Sequence, residues 1–387
     1  MAEVRPAVAP PGARLRLAWL AWRDVHHPEA GGSEVYVHEV ARRWAANGHA
    51  VTIVTARAPG QPAHEVVDGV EHRRSGGRLG VYPRALWWLA REGQRIDVVV
   101  DVINGLPFGS PLVRRRGVVA LVHHVHCEQW RIIYPGWRGR VGWFVESWLT
   151  PRLYQRVPFV TVSESTRTDL LRLRVPATHI SVVRNGLTAN PVDDTPRSTT
   201  PRVVVLTRLV PHKQVEHLLE ATARLRGAHP ELAVDVIGDG WWRDRLHAEA
   251  VRLGVADFIT FHGHVDEEQR DRLLARAWVM ALPSVKEGWG IAVTEAAAQG
   301  TPTVGYSSSG GLRESVIHGV TGWLVADLDD FVCTLDDVLS GRVDLAPVSA
   351  AARARALSLD WSTTATEMMQ VALAAAERSR ISGRRRQ

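Results

Sequence analysis

The chain has 387 residues, 45% of them apolar and 23% charged, the make-up of a folded protein of about two domains rather than a disordered chain. No apolar run reaches the ~18–20 residues that span a bilayer, and Met1 to Pro11 is Ala- and Pro-rich without a signal-peptide core, so a cytoplasmic location is expected. The net charge of +6 and the pI of about 9.9 come from scattered arginines; without an RNP-like aromatic signature or zinc-finger spacing, no nucleic-acid partner is expected.

Strand-like apolar runs alternate with helical patterns, the mark of βαβ units and a parallel sheet. Residues 15–20 read as a strand, Gly31–Gly32 as a turn, and Ser33 as the N-cap of a helix to about Asn47, ended by Gly48. Strands follow at 51–55, 98–102, 118–122 and 159–162, and Ser163 is expected to cap a helix from Glu164. Residues 187–201, rich in Pro, Thr, Asp and Asn, read as a linker. The alternation restarts with strands at 203–206, 233–237, 258–261, 279–282 and 303–304. The expected fold class is α/β, with two doubly wound domains over 14–186 and 202–357, a helix over 358–379 and a disordered tail over 380–387. The two cysteines, Cys127 and Cys333, make no disulfide framework and no CxxC.

The most informative segment is Glu287-Gly-Trp-Gly-Ile-Ala-Val-Thr-Glu295, after the 279–282 strand. Gly288 and Gly290 let the backbone approach a ligand, with Trp289 between them and a helix starting near Ile291. Its first N–H groups favour a diphosphate. Glu287 and Glu295 then bracket a phosphate cradle with acceptors for sugar hydroxyls; equally, the first is a turn residue and the second complements the helix dipole. Arg208 and Lys213 follow the 203–206 strand, where ligands bind in open α/β sheets, and read as a phosphate clamp or as solvated surface charges. The only two lysines of the chain, Lys213 and Lys286, both fall in these segments. Ile237-Gly238-Asp-Gly240 and Phe261-His262-Gly263-His-Val265 are turns at strand ends that can line a base or ribose pocket. There is no GxGxxG and no Walker A motif, which disfavours NAD and ATP as the leading ligand.

In combination these segments, with Gly31-Gly32-Ser-Glu34, Asn47-Gly-His-Ala-Val51 and Glu295-Ala-Ala-Ala-Gln-Gly300-Thr-Pro-Thr-Val304, resemble the retaining GT-B glycosyltransferases of family 4. The likeness runs from about Arg14 to Trp361, and the acid pair with seven residues between is its most specific part. It implies two Rossmann-like domains facing across a cleft, a nucleotide-sugar held by the second, and a final helix crossing back to the first. Arg208 and Lys213 would neutralise the departing diphosphate, Glu295 would bind the ribose, Glu287 the transferred sugar, and Gly31 and Gly32 the phosphate from the other domain. No divalent metal and no cofactor is implied; the nucleotide-sugar, UDP- or GDP-linked, is a co-substrate. The same fold leaves open a sugar-nucleotide epimerase, a phosphorylase or a non-catalytic nucleotide-sugar-binding protein.

Such enzymes commonly carry a histidine near the sugar, at the strand end where this chain has Val122-His123-His124-Val125-His126-Cys127-Glu128. Strand length ranks His123 first, then His124 and His126; a zinc site is the rival reading, against which the spacing argues. Asp24, His26 and His27 precede Gly31 and read equally as part of the acceptor pocket or as a solvated loop; Asp24 and His26, with His126 and Trp130, are the acceptor-side candidates. Trp87, Trp88, Trp130, Trp137, Trp143 and Trp148 are interleaved with arginines. Core tryptophans with snorkelling arginines are the favoured reading; a peripheral membrane patch serving a lipid acceptor is the alternative to a glycan or small-molecule acceptor.

Overall fold

A computed structural model describes residues 14–192 and 194–384. It divides into two compact units: the residues up to Gly186 together with those from Trp361 on, and Leu187–Asp360.

The first unit is built on eight strands: β1 (Arg16–Leu20), β2 (Ala50–Thr55), β3 (His64–Val67), β4 (Val70–Arg74), β5 (Val98–Val102), β6 (Val118–Val122), β7 (Phe159–Thr161) and β8 (Ile180–Val182), in the order β3-β4-β2-β1-β5-β6-β7-β8. All pairs are parallel except β3–β4. The valine-rich runs of β5 (Val-Val-Val-Asp-Val) and β6 (Val-Val-Ala-Leu-Val) follow from burial on both faces, as parallel sheets require. The helix Gly32–Ala46 is capped by Gly31, not by the expected Ser33: Glu34 reaches back to accept from Gly31 N at 2.8 Å. Ser163 does cap its helix, its Oγ accepting from Thr166 N at 3.1 Å.

The strands β3, β4 and β8 were not legible in the sequence pattern. β4 reads Val-Glu-His-Arg-Arg, yet buries His72 and Arg74, because Arg74 pairs with the buried carboxylate of Asp24. The last helix, Trp361–Arg384, seats Trp361 against Tyr36 in this unit, and Trp44 Nε1 donates to Ala365 O at 2.9 Å. The tail expected to be disordered from 380 is therefore helical to Arg384; residues 385–387, like Met1 to Pro11, lie outside the described residues.

The second unit has β9 (Arg202–Leu206), β10 (Ala233–Ile237), β11 (Ile259–Gly263), β12 (Val279–Leu282), β13 (Thr303–Tyr306) and β14 (Gly322–Val325), all parallel, in the order β11-β10-β9-β12-β13-β14. Alternate β9 residues feed two cores: Val203 and Val205 pack with Leu218, Leu219 and Phe331, and Val204 with Met280, Val293 and Ala296. The strand order reverses between β9 and β12, and at that point the loops after neighbouring strands diverge and leave a crevice.

Candidate active site

The second unit brings the two charged segments together at this reversal. Arg208 stands two residues past β9, and Lys213 closes the tight turn Pro211–Lys213 behind it. The loop after β12 is tied to that turn by Val285 N donating to His212 O at 3.0 Å. Lys213 Nζ lies 2.5 Å from Glu287 Oε1, with the side chains only 13% and 12% exposed. So little water at the pair leaves its Coulomb energy weakly screened.

Behind it the helix Ile291–Ala298 begins at Gly290, whose φ of 91° is one that glycine adopts without strain. Gly288 is held from the far side: Gly311 N donates to Glu287 O at 3.1 Å, and a Cβ on Gly311 would stand 2.5 Å from Gly288 O. Gly311 thus positions the cradle, a role that a one-dimensional reading missed because its partner lies on another loop.

Glu295 sits one turn into the helix, buried, and pairs with Arg270 at 3.1 Å. Burial pushes its carboxyl above the usual carboxylate range against the pull of Arg270. Arg270, from the helix Glu267–Arg276, was also missed: it stands 25 residues earlier in the chain and carries no motif. Trp289 is buried with its Nε1 unpartnered, and Ile291 is buried as well, so neither side chain lies open on this loop, whereas Lys286 and Glu287 are half-buried.

The turns after β10 and β11 have a packing reason for their glycines. A Cβ on Gly238 would run into Thr207 O, and one on Gly240 into Leu209 O. Gly238 N donates to Gly263 O at 2.8 Å, and Leu209 N to Asp239 O at 2.9 Å, which binds the three strand ends into one surface. His262 is tied back into the sheet through Asp235 at 2.7 Å, and Val265 packs on the Val204–Met280 core.

In the first unit, His123 follows β6 and is buried edge-on to Tyr36, ring centroids 5.3 Å apart, with no partner for its Nε2. Burial lowers its pKa to about 4 despite Glu34, so the ring is neutral near pH 7. Gly31 and Gly32 open their helix with Glu34 buried beside them. His124 Nε2 lies 3.0 Å from Gln129 Oε1. His126 Nδ1 lies 3.0 Å from the buried Glu146, which also takes the His126 N–H and, at 2.7 Å, Trp130 Nε1. Glu146 was missed because it carries no motif and its partners Trp130 and His126 stand 16 and 20 residues earlier in the chain. Among the described residues no three His, Cys, Asp or Glu side chains are grouped to hold a metal.

Asp24 is no solvated loop residue. It is buried, accepts from His26 N at 3.0 Å and pairs with Arg74; burial alone would raise its carboxyl, but His72 and Arg74 hold it well below the usual range. The His26 side chain is exposed, and burial lowers the pKa of His27. The expectation that the arginine-flanked tryptophans are core fails for three of them: Trp87, Trp137 and Trp148 are exposed, whereas Trp88, Trp130 and Trp143 are half-buried.

Two family models match, one in each half: Glycosyltransferase Family 4 over residues 30–191 and Glycosyl transferases group 1 over 189–355. The chain is 35% identical over 238 residues to a glycogen synthase of Mycobacterium tuberculosis, covering 60% of this chain but only 56% of that protein, so it spans little more than half of that relative's length. It is 27% identical over 404 residues to a D-inositol 3-phosphate glycosyltransferase of Thermobispora bispora, covering 90% and 91% of the two. A sucrose-phosphate synthase structure from Thermosynechococcus elongatus superposes with a TM-score of 0.79 over 92% of this chain and 98% of that one, at 22% identity, which speaks for the fold.

Proposed function

We propose, since this chain belongs to the family 4 glycosyltransferases of the GT-B architecture, that it moves a sugar with retention from a UDP- or GDP-linked donor to a hydroxyl acceptor, without a divalent metal. The observation that carries this is the Lys213–Glu287 pair at the β9–β12 reversal, backed by the helix that starts at Gly290. Lys213, Arg208 and the N–H groups at Gly290–Ile291 stabilise charge as the bond from the sugar's anomeric carbon to the diphosphate oxygen breaks. The acceptor oxygen bonds to the same face of that carbon, and its proton passes to the departing phosphate oxygen. Glu287, held by Lys213, accepts hydrogen bonds from the transferred sugar, and Glu295 from the ribose. In the first unit His123 offers a neutral imidazole to the sugar and Gly31–Gly32 a helix terminus to phosphate; His124, His126 and Trp130 belong to the acceptor side. The reading includes a cytoplasmic location, which fits cysteines that form no disulfide.

The first test is a thermal-shift screen against UDP, GDP, dTDP and ADP and their sugars, in EDTA. Ligands that bind the native state raise its melting temperature. The expected result is a rise with UDP or GDP, followed by product whose anomeric configuration, read by NMR, matches the donor. No rise with any nucleotide, or an inverted product, refutes the assignment.

A further inference from the structure

The first unit carries a surface that the chemistry above does not use. The helix Trp137–Phe144, the wide turn Val145–Leu149 and the turn Thr150–Leu153 run on from one another. The inner face of this run is sealed: Gly139 and Gly142 lie against Trp130, and Glu146, 4% exposed, holds Trp130 and His126. The outer face is an apolar stripe at helical spacing, Trp137, Val141, Phe144 and Trp148, with exposures of 65%, 52%, 52% and 46%. Phe144 and Trp148 stack on each other, centroids 5.0 Å apart and rings 16° from parallel, so the stripe is ordered though uncovered. Soluble proteins seldom leave so contiguous an apolar face bare.

The charge around the stripe says what covers it. Between residues 131 and 156 the chain has five arginines, Arg131, Arg138, Arg140, Arg152 and Arg156, all exposed, and its one acid, Glu146, is buried. The Arg152 guanidinium sits 4.2 Å over the Trp148 ring. A second copy of the chain is a poor occupant, because a two-fold contact would set this arginine set against itself. We propose that this face docks on an anionic lipid bilayer, the tryptophans and Phe144 entering the headgroup–acyl boundary and the arginines pairing with lipid phosphates. Aliphatic side chains such as Val141 gain from an acyl boundary and nothing from a polyanion in water. Among the described residues no helix is long and apolar enough to cross a membrane, so the contact is peripheral. The docking does not depend on the donor chemistry, which gives the experiment its control.

The experiment is flotation of the full chain with vesicles of phosphatidylglycerol mixed with phosphatidylcholine, and with phosphatidylcholine alone. The protein is expected to float with the anionic vesicles at ~0.1 M salt, less at high salt, and not with the neutral ones. The exposed-site variants Trp137→Ser/Phe144→Ser/Trp148→Ser and Arg138→Glu/Arg140→Glu should each bind at least ~10-fold more weakly, with unchanged circular dichroism and an unchanged nucleotide thermal shift. Wild-type protein left at the bottom of the gradient overturns the proposal, as does equal binding to neutral vesicles or variants that float like wild type. Self-association that the triple variant abolishes, without vesicle binding, overturns it in favour of a protein partner.

Discussion

Replacing Lys213 with alanine removes the cation that stands 2.5 Å from Glu287. Both side chains are about nine-tenths covered, so solvent cannot take over the lost charge. If Lys213 stabilises the leaving diphosphate, turnover should fall by about 10²–10³, or ~2.7–4 kcal/mol of transition-state energy, the scale of one lost charge contact at a reacting centre. The assay is steady-state transfer or donor hydrolysis with the nucleotide sugar chosen by the thermal-shift screen. The double variant Lys213→Ala/Glu287→Gln separates two roles, as such cycles can. A lysine that only neutralised Glu287 would become dispensable once that acid was neutral, and turnover would return. We expect it to remain at least ~10²-fold down; recovery in the double variant, or near-normal turnover in the single one, would refute a role for Lys213 at the phosphate.

Three further outcomes follow from the geometry. Gly311→Ala, whose Cβ would stand 2.5 Å from Gly288 O, should displace the cradle and cut nucleotide affinity by about tenfold or more, read by calorimetric titration, at a stability cost of about 1–3 kcal/mol. His123 has a folded pKa near 4 against the usual 6.5, so the unfolded chain binds the extra proton between those values and stability falls as pH drops through that window; His123→Gln should flatten this part of the stability–pH curve in urea titrations. Glu146→Ala leaves the His126 and Trp130 donors without their shared acceptor and should destabilise the first unit by about 2–3 kcal/mol, seen as a lower melting temperature.

What the chain order made legible was whatever rests on local rules. The βαβ alternation, the valine-rich strands of two parallel sheets and the glycine–acid segment before a helix all express propensity, burial and backbone freedom within a few residues. The charged strand β4 was hidden because its pattern makes sense only once Asp24, fifty residues earlier, supplies a buried partner for Arg74. The pairing of Lys213 with Glu287, of Arg270 with Glu295 and of Gly311 with Gly288 was likewise beyond local reading, since the first joins the segments that follow the paired strands β9 and β12, the second the two helices on either side of β12, and the third the loops that follow the paired strands β12 and β13. The tryptophan-rich stretch shows the limit most directly. Its helical period is plain in the sequence, but which face is sealed depends on Glu146 finding Trp130 and His126, a choice made by burial of one carboxylate against two specific donors. Residue types and their periods are properties of the chain; which of them end up paired, covered or bare is decided only when distant segments compete for the same interior.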